Sequence, residues 1–217
     1  MLGSAFGAAC SRPNAAHAGD APTDDQLKPR ADLTYPDDAG PQQAVFAGGC
    51  FWCTEWVFQN LKGVTDVESG YAGGTKETAN YQAVCTGNTD HAEAIRINYD
   101  PKQVTFGELL QVFFTIAHDP TQLNRQGPDY GRQYRSAVFY ADDEQKRVTQ
   151  AYLDQLVELK AFDRKIATTL EPLTEFFPAE LYHQDYVANN PNQPYVRAQA
   201  LPKGEKLREK MPERVQE

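Results

Sequence analysis

An α+β two-layer sandwich is the fold this chain predicts, on three observations. Between residues 42 and 190, short β-type apolar runs alternate with amphipathic helical patterns in the order β-α-β-β-α-β-α. The hydrophobic share of 41%, with 11% aromatic, suits one packed core and exceeds what a disordered chain holds. Two of the strands follow one another with no helix between them inside this otherwise alternating pattern. The helices must then cover one face of a mixed, ferredoxin-like sheet, with a long coil at the C-terminus.

The elements follow in order. Ala44 to Ala47 is a short apolar run ending at Gly48-Gly49, and Trp56, Val57 and Leu61 then fall at helical spacing, so a strand feeds a helix through a glycine turn. Val64 to Tyr71, closed by Gly73-Gly74, reads as the second strand, and Ala92 to Tyr99, closed by Asp100-Pro101, as the third. Thr105 and Glu108 have the spacing of a capping box ahead of Phe106, Leu109, Leu110, Phe113 and Ala117, an amphipathic helix. Ser136 to Ala141 is a fourth strand. Asp142 and Asp143 open a helix whose Val148, Tyr152, Leu156 and Leu159 share one face.

The ends differ from this block. Residues 1–41 carry five of the fourteen prolines, and beyond residue 10 their large apolar residues are Leu27, Leu33 and Tyr35, so they read as a leader or disordered tether. Ala8-Ala9-Cys10 is similar to the end of a bacterial lipoprotein signal, and Ala16-His17-Ala18 to an ordinary leader cleavage site. A lipidated or exported chain would sit in the cell envelope or periplasm, and otherwise in the cytoplasm. Residues 191–217, with Pro191, Pro194, Pro202 and Pro212 among alternating charges, read as a tail on or off the surface. With 21 basic against 30 acidic side chains and a formal charge of −9, the chain lacks the cationic surface that binds nucleic acid. No apolar run approaches the ~18 residues of a membrane span.

The chemistry concentrates at Cys50 and Cys53. Cys50 follows two glycines and opens a helix, where unpaired N–H groups and the helix dipole favour a thiolate, which places it as a nucleophile. Cys53 lies one turn on, within reach of a disulfide. A structural zinc site would need four ligands, and Cys10, Cys85, His91, His118 and His183 supply no second close pair, so no metal is expected. Phe51 and Trp52 adjoin the thiol and suit a pocket wall for a methyl group or sulfur. Glu93 shares the parity of Ile95, Ile97 and Tyr99, so it points to a buried face, where desolvation raises a carboxyl toward the range of a general acid. The loop Gly127 to Arg135 is dense in hydrogen-bonding groups.

These residues resemble the peptide methionine sulfoxide reductase A family. The matching motifs are Gly49-Cys50-Phe51-Trp52, Gly70 to Gly74, Tyr81 to Cys85, His91 to Ala94, His118-Asp119-Pro120, Asp129 to Ser136, and Tyr182 to Tyr186, which together span residues 44–190. The resemblance implies a reductase of the S epimer of methionine sulfoxide, free or in proteins, acting in protein repair. It implies Cys50 as nucleophile, Phe51 and Trp52 as methyl pocket, Glu93 as acid, Tyr81 and Tyr134 as hydroxyls that orient the sulfoxide oxygen, and Asp129 as support for substrate. Many members carry glycine where Cys53 stands and recruit cysteines from a glycine-rich tail, whereas residues 187–217 contain none. Cys53 is therefore expected to resolve the Cys50 sulfenic acid, as in the Gly-Cys-Phe-Trp-Cys subset, with Cys85 the alternative. A thioredoxin-like dithiol would reduce the disulfide, no cofactor is expected, and a monomer is. A thioredoxin-like oxidoreductase would leave Glu93 and the 129–134 loop idle, and a non-enzymatic binding module would not need Cys50.

Overall fold

The computed structural model describes residues 21–216. The leader motifs around Cys10 and Ala16 to Ala18 lie outside them. The core follows the expected order: β1 (Gln42–Gly48), α1 (Phe51–Gln59), β2 (Val64–Ala72), β3 (Ala92–Tyr99), α3 (Phe106–Val112), β6 (Ser136–Tyr140) and α4 (Asp143–Glu158). Between these lie the short α2 (Tyr81–Cys85) and a two-residue hairpin, β4 (Arg125–Gln126) and β5 (Asp129–Tyr130); β7 (Thr169–Pro172), β8 (Phe176–Pro178), α5 (Tyr186–Asn189) and α6 (Leu201–Lys210) follow.

The main sheet has the order β7-β6-β1-β3-β2-β8. Its inner strands β6, β1, β3 and β2 are antiparallel neighbours, the ferredoxin-like arrangement, while β7 runs parallel to β6 and makes the sheet mixed. Strand alternation divides the interior. Ala44, Phe46, Ile95, Ile97, Tyr99, Val67 and Tyr71 face the helices in one large cluster, and Val45, Ala47, Ala92, Ala94 and Phe139 form a smaller one on the opposite face. Thr105 and Glu108 make both bonds of the capping box, and Asp142 caps α4 by accepting from Gln145 N–H.

The ends depart from expectation. Residues 21–41, expected as tether, lie along the body: Leu27 and Leu33 pack on the main cluster. Tyr152 Oη donates to Leu27 O (2.7 Å), Gln155 Nε2 donates to the carbonyls of Gln26 and Lys28, and Asp32 accepts from Gly107 N–H (2.8 Å). Side chains of α4 thus satisfy the backbone of a segment too poor in apolar residues to bury itself, and the segment's Asp32 in turn satisfies a backbone N–H of α3. Residues 191–217, expected as coil, are largely helical. A π turn over Val196–Ala200 leads into α6 and a 3₁₀ turn at Pro212–Arg214, and Val196, Ala200 and Leu207 are buried. Pro202 stands in the first turn of α6, directly after the π turn. Gly204 seats α6 on α1: a Cβ there would come within 2.5 Å of Trp56 Nε1. Among the described residues, no helix is long and apolar enough to cross a membrane.

Candidate active site

The β1–α1 turn sets the geometry. Gly49 has φ +90, and a Cβ on it would lie 2.4 Å from Gln126 Cβ, so the turn closes only with glycine under the packed hairpin loop. Cys50 then becomes the N-cap of α1, its carbonyl accepting from Cys53 N–H (3.1 Å). Cys50 is 8% exposed and Cys53 2%, and both are free thiols.

Glu93 arrives from β3 opposite Tyr71 of β2 and is buried on the helical face, as its parity predicts. Its Oε2 accepts from Phe51 N–H (3.1 Å), an orphan donor of the helix start. Burial pushes its carboxyl up to about 8, with Asp129 and Cys53 adding repulsion and the Phe51 N–H opposing. At neutral pH it holds its proton.

That same bond corrects one expectation. The helix start was to favour a Cys50 thiolate, but Glu93 takes the Phe51 amide, and burial, Cys53 and Glu93 push the Cys50 thiol well above the ordinary range. Cys53 is pulled down to about 7, first by the hydrogen bond from Cys50 and then by the charge of Lys203 and the Tyr195 hydroxyl. The pair thus shares one proton near neutrality, and Cys53 is the natural acceptor of the Cys50 proton when Cys50 attacks.

Aromatic residues wall the site. Phe51 is fully buried, with its ring 5.0 Å from that of His183 and 5.9 Å from that of Tyr71. Trp52 is half-buried; it stacks on Tyr186 at 3.7 Å and donates through Nε1 to His183 Nδ1 (3.1 Å). Tyr81 opens α2, its ring 4.4 Å from that of His183, and burial, with Cys85 beside it, raises its phenol. Tyr134 packs against the cluster that holds Cys50 and Cys53. Burial and the charges of Glu93, Asp129 and Cys50 raise its phenol. Asp129 on β5 is raised by burial and accepts from Tyr195 Oη at 2.5 Å. Cys85 is exposed at the end of α2. The structure therefore gathers Cys50, Cys53, Phe51, Trp52, Tyr81, Glu93, Asp129 and Tyr134 around one spot. Among the described residues, no group of three or more His, Cys, Asp or Glu side chains is placed to hold a metal ion.

Sequence reading missed three contributors. Tyr195, from the supposed tail, meets Asp129, receives the Cys53 thiol at 3.9 Å and sets its ring edge on Trp52. Glu55 is 1% exposed and accepts from the N–H of Asp185 (3.3 Å), the residue before Tyr186. It thereby holds Asp185 at φ +54 and Tyr186 against Trp52. His183 sits within a quoted motif but had no role. Helical spacing could have placed Glu55 four residues after Phe51 on a buried face; nothing local marks Tyr195.

A protonated carboxylic acid, a dithiol holding one mobile proton, phenols and an aromatic wall can draw oxygen from a thioether oxide. The family model of peptide methionine sulfoxide reductase matches residues 42–215. A peptide methionine sulfoxide reductase from Synechocystis sp. is 56% identical over 81% of this chain and 82% of its own. One from Deinococcus radiodurans is 52% identical over 79% and 82%. Among solved structures, reduced Mxr1 from Saccharomyces cerevisiae has a TM-score of 0.63 at 37% identity, over 73% of this chain and 90% of that one. Methionine sulfoxide reductase A of Corynebacterium diphtheriae has a TM-score of 0.61 at 35% identity, over 73% and 79%. Fold, site and likeness agree: the chain belongs to the peptide methionine sulfoxide reductase A family and is an oxidoreductase that returns methionine sulfoxide to methionine in protein repair.

Proposed function

We propose that the chain reduces the S epimer of methionine sulfoxide, free or within proteins, through a Cys50 sulfenic acid and a Cys50–Cys53 disulfide that a thioredoxin-type dithiol reduces. The methyl group rests against Phe51 and Trp52, and Tyr81 and Tyr134 donate to the oxygen. Cys50 attacks the sulfur as its proton passes to Cys53, and Glu93 protonates the departing oxygen. The substrate S–O bond breaks as the protonated oxygen passes to the Cys50 sulfur, so that methionine leaves and Cys50 becomes a sulfenic acid. Cys53 condenses with it, releasing water. The electrons come from the cysteine pair and the external dithiol, with no bound cofactor. The protein acts as a monomer, since one chain supplies the whole constellation.

The observation that carries this reading is the buried Glu93, its carboxyl pushed up to about 8, bound to the amide next to Cys50. The test is turnover of separated sulfoxide epimers with thioredoxin or dithiothreitol. The S epimer should turn over and the R epimer should not. Cys53→Ser should release about one methionine per enzyme and then stop with thioredoxin, while Cys50→Ser releases none. Full thioredoxin-driven turnover by Cys53→Ser, with its loss in Cys85→Ser, would make Cys85 the resolver.

A further inference from the structure

We propose that Tyr195 is a catalytic residue of the resolving step, carrying the proton of Cys53 to Asp129 as the disulfide forms. The inference rests on the reading of Cys53 as resolver. In the dithiol, Cys53 has two polar partners among the described residues, the Cys50 thiol and the Tyr195 hydroxyl. Once Cys50 is a sulfenic acid its S–H is gone, and with it the hydrogen bond that most favours a Cys53 thiolate. Tyr195 then remains, and its hydroxyl is oriented for transfer. Its oxygen accepts from Cys53 Sγ at 3.9 Å, and its own proton points to Asp129 Oδ2 at 2.5 Å.

The surroundings fix this order. Cys53 is sealed beneath Val187, Val196 and Ala200, which all but excludes water as a base, whereas Asp129 is partly exposed and can exchange protons with solvent. The ring edge of Tyr195 on Trp52, at 6.1 Å, holds the phenol in place. The charged and titratable groups that face the chain are Cys50 and Cys53 on α1, Glu93 on β3, Asp129 on β5 and Lys203 on α6.

The step balances. Cys53–SH and Cys50–S–OH become Cys50–S–S–Cys53 and water: the Cys50 S–O bond breaks, the S–S bond forms, Cys53 is oxidised and the sulfenic sulfur reduced. The thiol proton passes to Tyr195 as the phenol proton passes to Asp129. Glu93, reprotonated from solvent after the first step, protonates the leaving oxygen. Asp129 returns its proton to solvent and Glu93 takes one up again, so no net proton is released.

The test separates the two half-steps in the full chain. Enzyme is mixed with one equivalent of substrate sulfoxide, or oxidised at Cys50 with hydrogen peroxide to bypass substrate binding. Methionine release, sulfenic acid trapped by a dimedone-type reagent, and intramolecular disulfide are followed by quenched mass spectrometry from pH 6 to 9. In Tyr195→Phe, which keeps the ring on Trp52, the rate of disulfide formation relative to methionine release should fall about 10²-fold or more, the range for lost proton transfer. Sulfenic acid should accumulate, and disulfide formation should become steeply pH-dependent, recovering as Cys53 ionises unaided. Asp129→Asn, started with peroxide, should show the same signature. A Tyr195→Phe enzyme with the wild-type ratio, or with a lowered ratio that pH does not restore, overturns the relay. The underlying reading fails separately, if Cys53→Ser still forms an intramolecular disulfide at the wild-type rate.

Discussion

Glu93 and Glu55 are two carboxyls pushed up to about 8 by burial, one facing the thiols and one behind the aromatic wall, and pH separates their effects. Glu93 serves as an acid only while protonated, so first-turnover methionine release should decline as pH rises through about 8. Glu93→Gln keeps the shape but has no proton to deliver; it should be slower by about 10² to 10⁴ and lose that descending limb. A retained limb in kinetics of the variant would remove Glu93 from the chemistry. Glu55 acts on stability. Its folded value lies above the ordinary 4.5, so the folded state holds a proton that the unfolded chain gives up. That contribution is fully present below about 4.5 and is lost as pH rises through about 8. Melting temperatures of wild type should therefore fall relative to Glu55→Gln between these values, and parallel curves would show that Glu55 is ionised in the fold.

At the scale of elements, the contact between α1 and α6 decides whether the two cysteines are covered. Trp56 of α1 lies against Gly204 of α6, and a Cβ placed 2.5 Å from the indole nitrogen must push the helices apart. Gly204→Val should cost about 1–3 kcal/mol in denaturant unfolding, the usual range for overpacking. It should also raise the alkylation rate of Cys53, which Val196 and Ala200 now cover. An unchanged alkylation rate would mean that α6 does not control access. The strands and longer helices were legible because their cause is local: β3 appears over the expected residues Ala92 to Tyr99, and the Thr105 box forms as its spacing requires. The short β7, β8 and α5 were not, because they exist as additions to edges and walls built by other parts of the chain.

For the molecule as a whole, the expected domain end at residue 190 makes a sharp test. Ending the chain there removes Val196 and Leu207 from the interior, roughly 3–6 kcal/mol of apolar burial. It also removes the backbone bonds from Lys62 N–H to Arg214 O (2.7 Å) and from Gln216 N–H to Asn60 O (2.9 Å). The truncated chain should unfold at lower denaturant and lose thioredoxin-driven turnover; an unchanged midpoint would mean that the segment only rests on the surface. By itself the sequence determined the order of the main strands and helices along the chain, the glycine turn under Cys50, the buried parity of Glu93 and the one-turn spacing of Cys50 and Cys53, because each depends on residues close together in the chain. The tertiary structure alone decided that the Cys50 thiol is raised, since that follows from burial and from Glu93, 42 residues away from Phe51, taking the helix-start amide. It alone brought Tyr195 across 142 residues to Cys53, because a tail of prolines and charges has no pattern of its own and is ordered only by the surface on which it packs.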